Sequence, residues 1–385
     1  MMRIYLDNAA TSFPKAPGVI EAMTNFLANI GTNIHRSLGK SYEAEEVVYN
    51  TRELLCQLFH FNKPENVIFT KNITESLNLL LKGLLQPGDH VLVSSMEHNA
   101  VMRPLSSLAA KGIKFSRIAC NNKGEMDIEN IRQLILPITK GIVMTHASNV
   151  SGTIYPLAQI GEICQKNNLF FLVDSAQTAG FCEIDMEGMS IDALAFTGHK
   201  SLLGPQGIGG LLITDRLAET IPPFIEGGTG SLSDSEAQPL YLPDKYESGT
   251  LNLPGIFGLH ASLEHLLKTG IKTFFDYETY LTMLFMNEVQ NIKGVELMGP
   301  EITKMRAPLV SVDCSKYDNA EIANQLLSEH NIITRVGLHC APHAHKTLNT
   351  FPQGTVRFSF SSFNTPDDIN KAVDALNKAV QPNIR

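Results

Sequence analysis

Short apolar runs alternate with amphipathic stretches through the middle of the chain. The apolar runs predict seven strands, at 67–70, 90–94, 114–118, 141–146, 169–174, 192–197 and 208–214. Most of the intervening stretches have helical spacing, and they predict helices at 74–85, 99–111, 128–134 and 157–167. Continuous apolar strands separated by helices are typical of a mostly parallel sheet that helices cover on both faces. The pattern therefore predicts an α/β domain.

The pattern changes on either side of this region. Helices are predicted at 18–28 and 42–59, after an extended arm at 7–11, and a Gly-, Ser- and Pro-rich surface segment is predicted at 222–252. Further helices are predicted at 253–267, 271–291, 320–329 and 366–379, and strands at 309–313, 332–336 and 356–361. We therefore expect a large α/β domain at 15–252. A smaller α+β domain should combine 253–385 with the arm at 1–14.

Composition excludes several classes of protein. The 385 residues include 39 acidic and 31 basic side chains, a net charge of −8, which disfavours nucleic acid or an anionic membrane as a partner. The absence of an apolar signal core and of a long apolar run predicts a soluble, cytoplasmic protein. Six cysteines without a CxxC pair indicate thiols, not a disulfide framework.

Polar residues follow several of the predicted strands. Ligands of parallel sheets bind beyond the carboxyl ends of the strands, so these residues are candidates for one shared site. Asp174 is an acid that would need a cationic partner if buried, unless it caps a helix. Amides around Thr74 and Glu75 would begin a helix and suit a phosphate, although Thr74 could be a simple N-cap. His98 could stack on a ring or serve structure alone.

Lys200 is the candidate nucleophile, because an apolar strand is predicted to end just before it at Thr197. Burial disfavours a charged amine and lowers its pKa, and a neutral amine can form a Schiff base with a carbonyl cofactor. The alternative is a surface lysine beside a flexible loop. The glycines at 204–210 precede a strand and do not open a helix, so they do not indicate a dinucleotide site.

An ordered set of motifs along nearly the whole chain resembles the class V aminotransferase family of fold-type I pyridoxal-phosphate enzymes, and within it the cysteine desulfurases. The motifs are Asp7-Asn-Ala-Ala-Thr, Asn-Ile-Thr-Glu-Ser, Met-Glu-His-Asn, His-Ala-Ser-Asn-Val-Ser-Gly, Val-Asp-Ser-Ala-Gln, Thr-Gly-His-Lys and Gly249-Thr250. The ordered set is far more specific than any one of its members.

The resemblance implies a role in cofactor binding for each matching residue. Lys200 would form the Schiff base, Asp174 would pair with the pyridinium nitrogen, and His98 would stack on the ring. The phosphate would be bound by Thr74, Glu75, Thr197 and His199, the ring hydroxyl by Gln177, and Asn149 would contact both ring and substrate. Thr250 would reach the phosphate in the partner subunit of a homodimer.

A second set of residues would serve the substrate. The sequence Arg335-Val-Gly-Leu-His-Cys340 is similar to the loop of the Suf-type group of desulfurases, in which the cysteine receives sulfur as a persulfide. His339 or Arg335 could lower the pKa of this thiol. Arg357 resembles the arginine that binds the substrate α-carboxylate. Asn8, Asn149 and Arg335 are further expected substrate contacts, and Lys200, Cys340 and His98 are the expected catalytic residues.

The implied activity is conversion of L-cysteine to L-alanine, with sulfur passed through Cys340 to an acceptor protein, as in iron–sulfur cluster assembly. Selenocysteine lyase, with L-selenocysteine as substrate, or another reaction of the family on a small amino acid are the alternatives. The cluster His339-Cys340-Ala-Pro-His343-Ala-His345 admits a zinc site, but no second ligand cluster is apparent, so no metal is expected. Asn99 and the loop at 341–353 depart from the Suf-type pattern.

Overall fold

Helices and strands alternate along the chain in a computed structural model that describes residues 3–34, 40–314 and 316–381. The strands are β1 Ile4–Tyr5, β2 Val67–Thr70, β3 His90–Ser94, β4 Lys114–Ile118, β5 Thr139–Thr145, β6 Phe170–Asp174, β7 Ala193–Thr197, β8 Gly209–Ile213, β9 Glu296–Met298, β10 Leu309–Asp313, β11 Ile332–Ile333, β12 Arg335–Gly337 and β13 Thr355–Ser359. The α-helices are α1 Val19–Asn25, α2 Lys40–Phe59, α3 Ile73–Leu84, α4 Asn99–Ala109, α5 Glu129–Leu134, α6 Leu157–Lys166, α7 Asp215–Thr220, α8 Leu253–Thr269, α9 Ile271–Val289, α10 Asn319–His330, α11 Pro342–Thr347 and α12 Pro366–Ala379. A π-helix, Phe26–Ile30, continues α1, and a 3-10 helix spans Pro64–Asn66.

A seven-stranded sheet in the order β2-β8-β7-β6-β5-β3-β4 forms the centre of the molecule. Strand β8 runs antiparallel to both of its neighbours, and the remaining pairs are parallel. Almost every residue of the five inner strands is buried, because helices cover both faces. The predicted α/β class with a mostly parallel sheet is confirmed, and each predicted strand of this sheet agrees with the structure to within two residues.

Separate apolar cores lie on the two faces of this sheet. Helices α1, α2, α6 and α8 contribute to one core, and α3, α4 and α7 to the other. A third core joins α9, α10 and α12 to a smaller antiparallel sheet in the order β12-β13-β10-β9. Helix α8 thus packs with the helices of the large sheet, while α9 packs mainly with the small one. The boundary at residue 252 stays a prediction.

Several local expectations are wrong. The strand predicted at 332–336 is two strands, because the chain changes partner at Thr334: β11 pairs with β1, and β12 pairs with β13. The residues after Asp7 form a turn, not an extended arm. The stretch at 341–353 contains helix α11, which begins at Pro342, a position where proline loses no helical hydrogen bond.

The described part of the 222–252 segment contains neither a helix nor a strand, as predicted. One buried ion pair anchors it. Glu247 Oε2 lies 2.7 Å from Arg52 Nη2 on α2, and both side chains are at least nine-tenths buried. Glu247 Oε1 also accepts from the Phe69 amide, and Arg52 donates to the Val67 carbonyl. These bonds hold the segment against β2 and α2, three residues before Thr250.

Within the described residues, no helix combines the length and hydropathy that a membrane crossing requires. The expected cytoplasmic location stays a prediction. All six cysteines are free thiols, and Cys340 is the exposed one.

Substitution of Glu247 tests the anchoring of this segment. Glu247→Ala leaves the Arg52 guanidinium buried without its counterion, so we expect the free energy of unfolding to fall by about 3–5 kcal/mol in urea titrations. Lys272→Ala, which removes an exposed ion pair with Asp276, is the matched control and should leave the transition nearly unchanged. Equal transitions for the two variants would contradict this account.

Candidate active site

The carboxyl ends of the parallel strands bring the predicted polar residues to one edge of the sheet. Asp174 ends β6 and lies in register with Thr145 on β5 and Ala195 on β7. Thr197 ends β7, and Lys200 follows three residues later. His98 follows β3 and precedes α4. Parallel strands end at the same edge, so residues far apart in the chain meet there.

Lys200 is half-buried, and desolvation lowers its pKa to about 8. The Asp174 carboxylate opposes this shift, while the Arg357 guanidinium adds to it. The amine therefore loses its proton far more readily than that of an ordinary lysine, and a large neutral fraction exists near pH 8. The alternative of a surface lysine on a flexible loop is wrong.

Asp174 is buried, and its Oδ1 accepts a hydrogen bond from the Ala176 amide at 2.9 Å. A turn follows it, so its alternative role as a helix cap is wrong. Burial raises its pKa, and the Ala176 amide and Lys200 oppose the rise. Among the described residues no cation lies within ion-pair distance of this carboxyl, which leaves it suited to a cationic ring nitrogen.

Two buried polar atoms near this edge have no hydrogen-bond partner in the described structure: Thr197 Oγ1 and His199 Nδ1. The start of α3 lies beside them, since Gly209 pairs with both Thr70 and Thr197, and a Cβ at Gly209 would come within 2.8 Å of Asn72 Cα. Buried donors seldom lack partners, and a helix N-terminus attracts anions. These residues fit the phosphate of the expected cofactor.

The cap of α3 differs from the sequence-based alternative. Asn72 is the N-cap, and its side chain accepts from the Glu75 amide at 3.1 Å. Thr74 is exposed in the first turn and does not cap the helix. The Glu75 amide is therefore engaged within the protein, whereas the Glu75 carboxylate accepts from the Lys71 amide.

Local hydrogen bonds orient three residues that were expected to surround the ring. His98 Nδ1 accepts from the Ala100 amide at 3.0 Å, and burial together with the Lys200 and Arg357 charges lowers the pKa of His98 to about 4. Gln177 donates to the Ala9 carbonyl at 3.2 Å, and Asn149 Nδ2 donates to the His339 carbonyl at 2.7 Å. His98 is therefore neutral at physiological pH.

Arg357 on β13 is buried and reaches the site from the small sheet. Its Nη2 lies 3.1 Å from Asp7 Oδ1, and its Nη1 donates to the Asn149 carbonyl at 3.0 Å. Nε has no partner. Sequence reasoning gave Asp7 no role of its own. An acid in a polar turn after an apolar segment was the available signal, but a pairing across 350 positions cannot be read from spacing.

Cys340 is exposed and lines a cleft of about 400 Å³ with Thr74, His98 and Arg103. Its carbonyl accepts from the Asn99 amide at 2.8 Å, and its φ of +57° lies in the left-handed region. Arg335 is exposed on β12, opposite Arg357. The charge of a Cys340 thiolate would raise the pKa values of Lys200 and Arg357.

The expectation that His339 supplies positive charge beside Cys340 is wrong. Its ring is buried, and burial together with Arg357 and the His345 ring lowers its pKa to about 2, so it is neutral. His339 Nε2 contacts Thr355 Oγ1, while His343 and His345 have other partners, Ser95 and Thr350. In the parts of the chain that the structure describes, no group of three His, Cys, Asp or Glu side chains could hold a metal.

Thr250 lies apart from the residues described so far, whereas Asn8 lies beside them. Thr250 is exposed and lines surface depressions with Glu247 and Leu251, in neither case beside Lys200. Asn8 lies in a narrow cavity with Lys200 and Gln177, but its side chain donates to the Ser359 carbonyl and accepts from the Phe13 amide. Both ends of the Asn8 amide are therefore hydrogen-bonded within the protein, and Asn8 stabilises the N-terminal turn.

Residues 4–372 match the sequence profile of the aminotransferase class-V family. The chain is 32% identical to a probable cysteine desulfurase of Pyrococcus abyssi, over 98% of this chain and 94% of that protein. It is 29% identical to a cysteine desulfurase of Shigella sonnei, over 97% of this chain and 92% of that protein. The chain belongs to the class V aminotransferase family.

Solved structures show which members of that family the chain resembles. The apo cysteine desulfurase of Thermococcus onnurineus superposes with a TM-score of 0.92 at 30% identity, over 98% of this chain and 94% of the other. An Escherichia coli cysteine desulfurase with an S-sulfonic acid gives a TM-score of 0.88 at 29% identity, with the same coverage. Both the fold and the sequence thus resemble cysteine desulfurases in particular.

The lowered pKa of Lys200 predicts an unusual pH dependence of its reactivity. Only the neutral amine is acylated, so we expect half-maximal modification of Lys200 near pH 8, measured by peptide mass spectrometry. Lys63 is the control, since hydrogen bonding to Asp215 raises its pKa. Asp174→Asn should move the Lys200 midpoint lower, because the Asp174 charge raises the lysine pKa. Parallel pH profiles for Lys200 and Lys63 would contradict the assignment.

Proposed function

We propose that this chain is a pyridoxal-phosphate-dependent cysteine desulfurase, which converts L-cysteine to L-alanine and transfers the sulfur to Cys340. The proposal is carried by two groups at one sheet edge: Lys200, whose pKa is lowered to about 8, and the buried carboxyl of Asp174, which has no cation within ion-pair distance among the described residues. The likeness to cysteine desulfurases along nearly the full chain supports the same activity.

The residues around the sheet edge fit the cofactor. Thr197 Oγ1 and His199 Nδ1 would bind the phosphate beside the start of α3, and Asp174 would face the ring nitrogen. Gln177 and His98 would contact the ring from the turn after β6 and the loop after β3. When bound, pyridoxal phosphate withdraws electrons from the substrate α-carbon and so stabilises negative charge that develops there.

Arg357 and Lys200 would act on the substrate itself. The guanidinium of Arg357 is held by Asp7 and the Asn149 carbonyl, and its unpartnered Nε is available to a substrate carboxylate. The neutral amine of Lys200 takes the proton from the α-carbon. A positioned base of this kind contributes roughly 10²–10⁴-fold in rate. Asn149, whose carbonyl accepts from Arg357, would contact the substrate beside it.

Cys340 would complete the reaction by accepting sulfur. Its thiolate attacks the substrate sulfur, so that a sulfur–sulfur bond forms while the bond between sulfur and the β-carbon breaks. The electron pair of the broken bond stays with the β-carbon, which takes up a proton to form a methyl group. The α-carbon regains the proton that Lys200 removed, and alanine results. Because Cys340 is exposed, its persulfide can be passed to an acceptor protein.

Substitutions at the two central residues test the activity. We expect Lys200→Ala to reduce alanine release from cysteine by at least about 10²-fold, because it removes the base. Cys340→Ala should retain the visible absorbance of the bound cofactor but lose cysteine turnover. Cys182→Ala is the matched control. Burial raises the pKa of the Cys182 thiol to about 12, so this thiol is not a nucleophile and the variant should behave like the wild type.

Mass spectrometry of the wild-type protein after exposure to cysteine should find one added sulfur atom on Cys340. Full turnover of cysteine by Cys340→Ala would end the proposal of a persulfide. If that variant still releases alanine from selenocysteine, the site also supports selenocysteine cleavage without the cysteine. A requirement for a keto acid would indicate transamination in place of desulfuration.

We further propose that the active unit is a homodimer in which Thr250 reaches the partner's cofactor phosphate. Large apolar side chains are exposed on one side of the molecule, on α1, the π-helix and α2: Ile20, Leu27, Tyr42 and Tyr49. A cavity of about 660 Å³ lies between α2 and the segment that carries Thr250. The π-helix contacts both α1 and α2, and large apolar side chains exposed on neighbouring elements are typical of protein interfaces.

Mixed dimers test the crossing of Thr250. Thr250→Ala and Lys200→Ala subunits should each form weak or inactive homodimers, whereas a mixed dimer should regain one complete site. That site would combine Lys200 of the first subunit with Thr250 of the second, so we expect about half of the wild-type activity per dimer. If Thr250 instead contacted the cofactor of its own subunit, no mixed dimer would contain a complete site, and mixing would restore no activity. Size-exclusion chromatography with light scattering confirms that dimers are compared.

A further inference from the structure

Glu97 is a buried carboxyl at the edge of the sheet that the chemistry described above does not use. Its side chain spans two strand ends: Oε1 lies 2.5 Å from Ser94 Oγ, and the Thr145 amide donates to Oε1 and Oε2 at 3.0 and 3.1 Å. Glu97 is 1% exposed. A carboxyl in this position therefore braces the loop after β3 against the end of β5.

The loop that Glu97 braces connects the two ends of the candidate site. His98 comes next in the chain, and the Asn99 amide donates to the Cys340 carbonyl at 2.8 Å. The same loop meets the region after Cys340 at Ser95, whose carbonyl lies 3.1 Å from His343 Nδ1. A shift of this loop would move the ring-stacking residue and the sulfur acceptor together.

The surroundings of Glu97 contain like charge and no counterion. Thr145, which donates to Glu97, is the register partner of Asp174, so the two buried carboxyls lie on neighbouring strand ends. The other titratable groups that face Glu97 are Cys120 and Tyr155. Among the described residues, no Lys, Arg or His forms an ion pair with Glu97. Burial, reinforced by Asp174, raises the Glu97 pKa to about 8.

We propose that Glu97 is a positioning residue whose carboxyl is a neutral acid, which holds the 94–99 loop in place and leaves Asp174 as the single buried anion facing the cofactor ring. Ser94 Oγ donates to Glu97 Oε1 and accepts from the Met96 amide, and the Thr145 amide donates to the same carboxyl. The direct partners of the Glu97 carboxyl are therefore neutral groups, and none of them is a counterion for a second buried charge. The inference rests on the proposed function only for the identity of the ring.

The protonation of Glu97 is tested on the protein without cofactor. A folded-state pKa near 8, against about 4.5 in the unfolded chain, means that the folded protein binds an extra proton between those values. The contribution of Glu97 to stability should therefore fall as pH rises from about 4.5 to about 8. Glu97→Gln replaces the carboxyl with a neutral amide of the same shape that does not titrate. The melting temperature of this variant should therefore rise relative to that of the wild type across that range.

Glu278→Gln is the matched control for the melting experiment. Glu278 is also buried with its pKa raised to about 8, but its contact is the Ser362 amide on the small sheet side. It should show a pH dependence of similar size, which establishes that the method detects a buried neutral acid. The proposal would be overturned if the difference in melting temperature between Glu97→Gln and the wild type stayed constant from pH about 4.5 to about 8.

The positioning role is tested by the affinity for pyridoxal phosphate, followed through visible absorbance. We expect Glu97→Gln to bind the cofactor like the wild type. Glu97→Ala should bind it about tenfold more weakly, because the Thr145 amide then has no acceptor and the 94–99 loop is no longer held in place. Equal binding by Glu97→Ala and the wild type would overturn the positioning role. Failure of the wild type to bind the cofactor would instead overturn the proposed function and leave the melting comparison intact.

Discussion

Desolvation of ionisable groups at the carboxyl edge of the central sheet is the constraint on which the site depends. Lys200 and Asp174 both lie where water is largely excluded, so each has its pKa moved toward the neutral form, and each partly stabilises the charge of the other. In an exposed lysine and aspartate, water would keep both pKa values near their ordinary range and would screen the two charges from each other. The two helix-covered faces of the sheet create that environment, and the structure therefore sets the acid–base chemistry through packing.

The second constraint is the connection between the two sheets. Arg357 projects from β13 of the small sheet, is held by Asp7 of the N-terminal turn, and contacts the Asn149 carbonyl after β5 of the large sheet. Three distant parts of the chain thus meet at one guanidinium. An isolated buried arginine would be costly, and the Asp7 carboxylate makes its burial tolerable while leaving Nε free.

Residues that carry no chemistry of their own hold the reactive groups in place. The Glu97 carboxyl, the Ala100 amide and the Asn99 amide each make a contact that fixes part of the loop between β3 and α4. Cys340, at the far end of that network, has a left-handed backbone and an exposed thiol. The arrangement combines a loop that is held by hydrogen bonds with an accessible thiol.

The amino-acid pattern alone determined the α/β class, the strands of the central sheet and the likeness to the class V aminotransferases, because local hydrophobic periodicity and ordered motifs are properties of neighbouring residues. It identified Lys200, Asp174, His98 and Arg357 as candidates, but not the pairing of Arg357 with Asp7, the neutral state of His339 or the split of the strand at Thr334. Those depend on burial, and the pairing of Arg357 with Asp7 and of β11 with β1 also joins residues more than 300 positions apart. Only the folded chain creates such contacts, since desolvation and charge proximity are set by the three-dimensional packing of distant segments.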